Sequence, residues 1–493
     1  MRRINGVALA LASVTALAVV AVAVPAVGAN GNAARLSKHE RQLLAEASAE
    51  GKTSIIVLVA AKGGAANDAM RDLEGLGASI QYRDAALGYI RASIAIAKVQ
   101  QAIQLASVEA LEIDETVDIP DPRPQGSVPP TPQTAPGAST PNNNPYLPIG
   151  DTGASQFMAA HPTWDGRNVT IGIVDTGVSL DHPSLLTTST GARKVVDWVT
   201  GTDPFTDNDP TWVDMQGQVS GASFVFQDTT YTAPAAGSYR IGIFDERDPR
   251  LGGEVGNDVN RDGNPAGSSG IFAVLWNTTT NDVWVDTNQN NTFADEQAMT
   301  DYKIRFDVGT FGTDNPATPV REAMPFVVQT DGKNKVVNLG IVSAQHGSHV
   351  TGIAAGNHLF GGAMSGAAPG AQVVSVRACL FVAGCTAHAL VEGMIYAAKE
   401  ANVDVINMSI GGLPALNDGN NARCVVYQRL IEQSNVQMFI SQGNDGAEDR
   451  DQPRQDPNHI HTDEDRLRQR IRYCVCRLAD LGALGWVLRD VAG

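Results

Sequence analysis

The pattern of apolar and polar positions divides the chain into two structured parts. Over residues 54–114, short β-branched runs alternate with helical stretches in the order strand, helix, strand, strand, helix, strand. That order is typical of the ferredoxin-like, split β-α-β arrangement, an α+β fold. From residue 169 onward apolar runs and helical stretches alternate again, which predicts an α/β fold with a parallel sheet and helices on both faces.

The second part carries four apolar runs that predict the strands of this sheet. Helical spacing of apolar residues predicts helices over residues 386–400 and 422–433. The functional side chains of such sheets gather at the carboxyl ends of the strands. The four runs are residues 169–175, 371–378, 403–411 and 436–444.

Two segments interrupt this regularity. Residues 119–148 are rich in Pro, Ser, Thr and Asn and predict an extended linker. Residues 200–340 are rich in Gly, Asn, Asp and Thr with short apolar alternations, which predicts a mostly β insertion. We therefore expect an N-terminal domain over residues 31–118 and a larger domain over residues 149–446.

The first residues of the chain predict export. Arg2 and Arg3 precede an apolar run and small residues suited to cleavage, so residues 1–29 are interpreted as a secretory signal peptide. A membrane anchor is the alternative, but no later apolar stretch of about 18 residues follows. We expect a secreted chain with no membrane association after signal removal. The formal net charge of −17 argues against a nucleic-acid partner, which would require an excess of Lys and Arg.

Five cysteines in an exported chain permit disulfides but leave one residue over. Cys379 and Cys385 are close enough in sequence to close a short loop. Two unpaired buried thiols are the alternative, because sequence spacing does not give geometry.

Two polar segments of the insertion resemble calcium loops. Oxygen-bearing side chains recur at every second residue, although Gln297 stands where an EF-hand places its bidentate Glu. Plain Asx turns are the alternative. The candidate ligands of a structural calcium ion are Asp258, Asn260, Asp262, Asp286, Asn288, Asn290 and Asp295.

Three chemically distinctive side chains fall at strand ends or at the start of a helix. Asp175 follows a strand that turns sharply, and His346 begins a helix of small residues. Asn444 ends the fourth run, where a side-chain amide can donate to a developing oxyanion. Turn formation is the alternative for Asp175 or Asn444 alone. His346 and His349 are also spaced like zinc ligands, but nothing nearby supplies a third ligand.

Four motifs resemble those of the subtilisin-like serine proteases, the subtilases. They read IGIVDTGVSLDHP, HGSHVTGIAAG, VINMSIGG and SQGNDG, and the resemblance extends roughly over residues 151–446. It implies a subtilisin-like fold and a secreted serine endopeptidase that hydrolyses protein or peptide substrates. Residues 31–118 resemble the inhibitor propeptide of that family, which acts in cis on the zymogen.

The resemblance also implies roles for individual residues. Asp175 would orient the imidazole of His346, His346 would act as the general base, and Asn444 would donate to the oxyanion. The chemistry requires no cofactor, so calcium would be structural. The long separation of Asp175 from His346 resembles the tripeptidyl peptidase II-like branch and leaves the cleavage preference open. The residues implied to border the substrate, as partners of an added strand, are Ser409, Ile410, Gly411 and Gly412.

The segments DTGAS at Asp151 and DTGVS at Asp175 also resemble the paired Asp-Thr-Gly loops of aspartic proteases. Those loops come from two separate lobes, whereas these lie close together in one segment. This alternative also leaves His346 and Asn444 unexplained.

One element of the subtilase pattern is missing. That family carries its nucleophile in a Gly-Thr-Ser motif after the oxyanion Asn, but no serine follows Asn444 here. Residues 447–493 instead form a charge-rich segment with many arginines and no lysine. We expect this polypeptide to be near inactive, because losing the nucleophile of such a triad costs about 10⁶ in turnover. The alternative function is a catalytically dead secreted protein that binds through its propeptide-like domain or its β insertion.

We predict a change of reading frame or a gene truncation just after Gly446, and the first of these can be checked in the coding sequence. Translating the other two forward frames downstream of this codon is expected to recover a Gly-Thr-Ser motif, and resequencing the coding region around Gly446 checks the frame. If neither alternative frame encodes the motif, the frame change is wrong, and truncation or divergence remains.

Overall fold

The computed structural model describes residues 35–117, 149–150, 152–252, 270–313, 323–362, 364–411 and 421–441. The interpreted signal peptide, linker and charge-rich tail lie outside these residues. Within the described ranges, no helix is both long and apolar enough to cross a membrane. The site candidates that lie outside them are Asp151, Asp258, Asn260, Asp262, Gly412 and Asn444.

The N-terminal elements build one antiparallel sheet. The four longer strands pair in the order β2-β3-β1-β4. Helix α1, which the apolar pattern does not predict, begins at a capping box formed by Ser37 and Glu40. In chain order the elements are α1 Lys38–Ala49, β1 Ser54–Ala61, α2 Ala66–Gly75, β2 Ser79–Asp84, β3 Tyr89–Ala95, α3 Ile96–Ala102, β4 Val108–Ile113 and β5 Thr116–Val117.

Strand β1 buries both of its faces. Val57 and Val59 pack in a core with side chains of α2 and α3. Leu58 and Ala60 belong to a second core that includes helices of the larger domain. Because successive side chains of a strand point to opposite faces, a strand buried on both sides reads as a continuous apolar run. The N-terminal sheet therefore lies between its own helices and the larger domain.

The larger domain begins with α4 Ala154–Ala160, β6 Thr170–Asp175 and β7 Val195–Thr200. The region after β7 is mostly β structure. Its strands form two antiparallel sheets, with the orders β12-β11-β10-β9 and β13-β14-β15-β8. The elements of this region are β8 Trp212–Asp214, β9 Gly217–Phe226, β10 Thr229–Asp245, β11 Ile271–Asn277, β12 Asp282–Val285, α5 Tyr302–Arg305, β13 Gly309–Phe311, β14 Met324–Asp331 and β15 Val336–Gly340.

The following elements return to alternating helices and strands. They are α6 His346–Ala355, α7 Leu359–Gly362, β16 Gln372–Arg377, β17 Cys385–Thr386, α8 Ala387–Lys399, β18 Val405–Met408, α9 Ala422–Ser434 and β19 Gln437–Ile440. Five strands form one sheet in the order β19-β18-β6-β16-β7, and every pair in it is parallel. The predicted parallel sheet is confirmed, and β7 is a fifth member that the apolar pattern does not single out.

Strand β6 shows that helices cover both faces of this sheet. Ile171 and Ile173 pack in a core with Ala355 of α6. Val174 points to the other face, where it packs in the core that contains α8. Gly172 also faces α8, and a Cβ atom there would lie 3.0 Å from the Cβ atom of Ala397.

The N-terminal domain contacts α9 of the larger domain through β1 and β4, and Tyr89 and Arg91 of β3 bind Glu392 of α8. Strand β5 pairs antiparallel with β17, where Cys385 lies opposite Val117. Cys385 forms a disulfide with Cys379. Of the two alternatives left open for these cysteines, the structure has the disulfide loop and not two free thiols.

A buried ion pair joins the β-rich region to the parallel sheet. Arg377 ends β16, and its Nη2 lies 2.7 Å from Oδ2 of Asp209. Both side chains are fully buried. The hydroxyl of Thr202 donates to the same carboxylate at 2.6 Å. Because the pair is excluded from water, each charge depends on the other for compensation.

We predict that Asp209→Ala destabilises the chain by about 3–5 kcal/mol, because it leaves the Arg377 guanidinium buried without a counter-charge. Urea unfolding followed by far-UV circular dichroism measures the loss. The control is Asp68→Ala, which removes the exposed ion pair with Arg71 and should cost less than about 1 kcal/mol. Equal losses in the two variants would contradict the prediction.

Candidate active site

Asp175 lies at the centre of the carboxyl edge of the parallel sheet. It is the last residue of β6, which pairs with β18 on one side and β16 on the other. Its side chain is fully buried. Oδ1 accepts a 2.8 Å hydrogen bond from the backbone N–H of Thr176. A buried carboxylate at this edge needs further compensation from a side chain.

His346, the first residue of α6, supplies that compensation. Its Nδ1 lies 2.7 Å from Oδ1 of Asp175, although 171 positions separate the two residues. An ionised carboxylate only accepts hydrogen bonds, so Nδ1 carries the proton and Nε2 of the neutral ring is the acceptor. The imidazole is 33% exposed, whereas Asp175 is buried. The hydrogen bond with Asp175 raises the pKa of His346 above its ordinary value and outweighs the opposing effect of burial.

Short hydrogen bonds hold the loop after Asp175 against the helix that carries His346. The hydroxyl of Thr176 donates to the carbonyl oxygen of Ala344 at 2.7 Å and accepts from the backbone N–H of Gly347 at 2.8 Å. The hydroxyl of Ser348 accepts from the backbone N–H of Ser179 at 2.9 Å. These contacts fix the helix start, and with it the position of the imidazole.

The small residues of α6 permit this approach. A Cβ atom on Gly347 would clash with the carbonyl oxygen of Gly177 and would lie 3.2 Å from the Cβ atom of Asp175. Gly177 itself has φ of 93°, a backbone conformation that favours glycine. The glycines that weaken α6 as an isolated helix therefore allow it to reach the end of β6.

Lys194 is a supporting residue that sequence reasoning missed. Its Nζ donates to the carbonyl oxygens of Ala355, Pro369 and Ala371 at 2.7, 2.7 and 2.8 Å. Ala355 ends α6, so the ammonium satisfies one of the carbonyls that every helix end leaves unpaired. Burial lowers the pKa of Lys194 to about 8. Its sequence signal is weak, since it is a lysine directly before the apolar run of β7.

The residues predicted to border a substrate lie at the same edge as Asp175. Ser409, Ile410 and Gly411 directly follow β18, the parallel neighbour of β6. The hydroxyl of Ser409 accepts from Nδ2 of Asn407 at 2.9 Å, and Ile410 is buried. Strand β19 is parallel to β18 and ends shortly before Asn444, which lies outside the described residues.

The zinc alternative for His346 finds no third ligand among the described residues, whereas the aspartic protease alternative for Asp175 is not tested. His349 is exposed, and Asp151 lies outside the described residues. In the part of the chain that the structure describes, no group of three or more His, Cys, Asp or Glu side chains is arranged to hold a metal ion.

The described calcium candidates form hydrogen bonds with one another. Asn288 and Asn290 each donate a side-chain N–H to Oδ2 of Asp295, at 3.1 and 2.8 Å. Asp286 accepts from the backbone N–H groups of Asn290 and Asn291, at 3.1 and 3.0 Å. The segment therefore has the hydrogen bonding of Asx turns.

A buried carboxylate that orients a partly exposed imidazole can position that imidazole as a general base. The pair lies at the carboxyl edge of a parallel sheet, where the functional side chains of such sheets gather. The model of the subtilase family matches residues 166–463 of the chain, and the match continues beyond Gly446. The chain belongs to the subtilase family.

Several characterised proteins are similar to this chain. Pyrolysin of Pyrococcus furiosus is 25% identical over 473 residues, and the alignment covers 83% of this chain and 32% of pyrolysin. Tripeptidyl-peptidase 2 of Arabidopsis thaliana is 26% identical over 372 residues, covering 61% of this chain and 26% of that protein. The crystal structure of tripeptidyl peptidase 2 aligns at 20% identity and a TM-score of 0.44, over 60% of this chain and 27% of that chain. The chain thus spans a third or less of the length of these relatives.

We predict that Asp175→Asn lowers the pKa of His346, because the hydrogen bond to an ionised carboxylate that stabilises the imidazolium is lost. NMR titration of histidine ring signals measures the change, and the signals of exposed His349 serve as the reference. Because the pKa of His346 is raised in the folded chain, its pairing with Asp175 stabilises the fold fully below about pH 6.5. This stabilisation is lost as the pH rises through the pKa of His346 in the folded chain. An unchanged His346 titration in the variant would show that Asp175 does not act on the imidazole.

Proposed function

We propose that the chain derives from a secreted serine endopeptidase in which Asp175 orients His346 and His346 is the general base. The observation that carries the proposal is the 2.7 Å contact between Asp175 Oδ1 and His346 Nδ1 at the carboxyl edge of the sheet. This contact leaves Nε2 available to accept a proton from a nucleophile.

In this proposal the substrate is a protein or peptide that adds a strand along Ser409–Gly412. Asn444 donates to the oxyanion, which is consistent with its position shortly after β19. The similarity to both pyrolysin and tripeptidyl-peptidase 2 leaves endopeptidase and tripeptidyl peptidase activity as two forms of the proposal.

Residues 31–118 are proposed to be a propeptide that inhibits the larger domain in cis after export. Two contacts support this role. Strand β5 pairs with β17 in a two-stranded sheet, and the adjoining N-terminal sheet packs on α8 and α9. Calcium is not part of the proposal, because the described side chains at Asp286 and Asp295 bind loop N–H groups instead of converging on a cation site.

Membership of the subtilase family does not by itself make these 493 residues active, because the serine nucleophile of that family is missing from them. No serine follows Ser441 in the sequence, so we propose that this polypeptide does not hydrolyse peptides. A catalytically dead secreted binding protein is the second candidate, because the docked N-terminal domain and the β-rich region need no nucleophile to bind a partner.

We predict that the 493-residue chain is not labelled by a fluorophosphonate probe and does not cleave labelled casein. Without an activated nucleophile, turnover falls by about 10⁶. The control is His346→Ala, which should give the same background as the original chain. Labelling of the original chain that disappears in His346→Ala would refute the proposed inactivity.

A gain-of-function chimera tests the roles of Asp175 and His346 directly. Residues after Gly446 are replaced by the segment of pyrolysin that follows the matching position. The chimera is expected to react with the probe, and Asp175→Ala or His346→Ala should abolish the reaction. A folded chimera that stays unlabelled, or labelling that survives His346→Ala, would contradict these roles.

A further inference from the structure

A cluster of buried charges joins the N-terminal domain to the first turns of α8. His388, near the start of α8, is fully buried. Its Nδ1 lies 2.7 Å from Oδ2 of Asp114, and its Nε2 lies 3.1 Å from Oδ2 of Asp207. Asp114 follows β4 in the N-terminal domain, whereas Asp207 follows β7 in the larger domain. One imidazole thus bridges carboxylates of both domains.

The geometry selects the protonated ring. Carboxylates only accept hydrogen bonds, and only an imidazolium donates from both nitrogens. A neutral ring would turn one lone pair toward a carboxylate. Asp114 also accepts from the backbone N–H of His388 at 2.9 Å, in the first turn of α8, where the helix dipole favours negative charge. Asp114 is therefore held in place by two donors of the larger domain.

Glu392, one turn further along α8, extends the cluster. Its Oε2 accepts from Nη2 of Arg91 at 3.2 Å, and its Oε1 accepts from the hydroxyl of Tyr89 at 3.1 Å. Nη2 of Arg91 also contacts Asp203 at 2.8 Å. Among the described residues, five titratable or charged groups on the surrounding elements face His388 or Glu392, namely Asp114, Asp207, Asp203, Arg91 and Tyr89. Glu115, the residue after Asp114, pairs instead with His39 and Arg423.

We propose that His388, held between Asp114 and Asp207, is a proton-dependent latch that fastens the N-terminal domain to the larger domain and weakens when the ring is deprotonated. The latch rests on the proposed role of the N-terminal domain as a separable inhibitor, and it adds the condition under which that domain is released.

The sign of the pH dependence follows from two raised pKa values. Burial lowers the pKa of His388, but the contacts with Asp114 and Asp207 outweigh it and raise that pKa to about 10. Burial raises the pKa of Glu392 to about 7, against the effects of Arg91 and His388. After separation Glu392 is hydrated and His388 keeps only Asp207, so both pKa values fall. The stabilising contribution is full below the separated values and is lost as pH rises through the assembled values.

The test uses the folded full chain carrying a specific protease site within residues 119–148. After cleavage, the dissociation constant of the two pieces is measured from pH 6 to 9.5. We expect it to rise roughly tenfold or more between pH 7 and 9, since one proton lost on separation changes affinity by up to tenfold per pH unit. A constant dissociation constant, no separation at any pH, or separation favoured by acid would overturn the latch.

Two variants separate this titration from general weakening of the interface. Asp114→Asn should weaken association at pH 7 and flatten its pH dependence. The control Glu109→Gln removes the contact with Arg429 at the same interface, so it should weaken association but keep the pH dependence. A flat profile for Glu109→Gln, or an unchanged slope for Asp114→Asn, would contradict the assignment.

Histidine NMR of the intact, unmodified chain gives a readout that does not depend on any variant folding. His388 is expected to be doubly protonated at pH 8, and a neutral ring at pH 7 would overturn the latch. None of these measurements requires hydrolysis. A result that overturns the latch would therefore not contradict the proposed roles of Asp175 and His346. An unreactive chimera would likewise not contradict the latch.

Discussion

The site depends on one constraint, which is that a carboxylate buried at the end of the central strand must be compensated. Asp175 has no access to water, and the backbone N–H of Thr176 supplies only part of the compensation. His346 supplies a second contact with the same oxygen, Oδ1, so α6 must begin within hydrogen-bond reach of β6. That approach requires glycine at position 347, where any side chain would clash with the loop after β6. The burial of Asp175 thus accounts both for the glycine in α6 and for the contact between Asp175 and His346.

Buried charges also join regions that are far apart in the sequence. Arg377 and Asp209 connect the parallel sheet to the β-rich region, and His388 connects the larger domain to Asp114. Such contacts add little net stability compared with well-packed apolar groups, but breaking one is costly because it leaves an uncompensated charge. They therefore disfavour alternative arrangements of the regions. Burial raises the pKa of Asp209, but the contacts with Arg377 and other donors outweigh it and lower that pKa, whereas an imidazole contact changes with pH in the physiological range.

The helices and strands that could be predicted from the sequence are those whose pattern lies among neighbouring residues of the chain. Strand β6 and helices α8 and α9 have a clear apolar pattern, and the run of small residues after His346 correctly placed that histidine at the start of α6. Strand β7 was not singled out, because its place in the sheet depends on pairing with β16. Lys194 and His388 were missed because their partners come from distant segments. The sequence motifs were sufficient to predict that Asp175 pairs with His346. The contacts of Thr176 could be identified only from the folded structure.

The structural role of the Asp175–His346 pair is separable from catalysis. Every contact described for the pair lies within residues 175–348, before the segment in which subtilases carry their nucleophile. Asp175 is buried whatever the chemistry of the site, and replacing His346 would leave its carboxylate short of a donor. Stability alone therefore favours keeping both residues, independently of activity. Their presence identifies the lineage of the chain, whereas activity must be argued from the nucleophile.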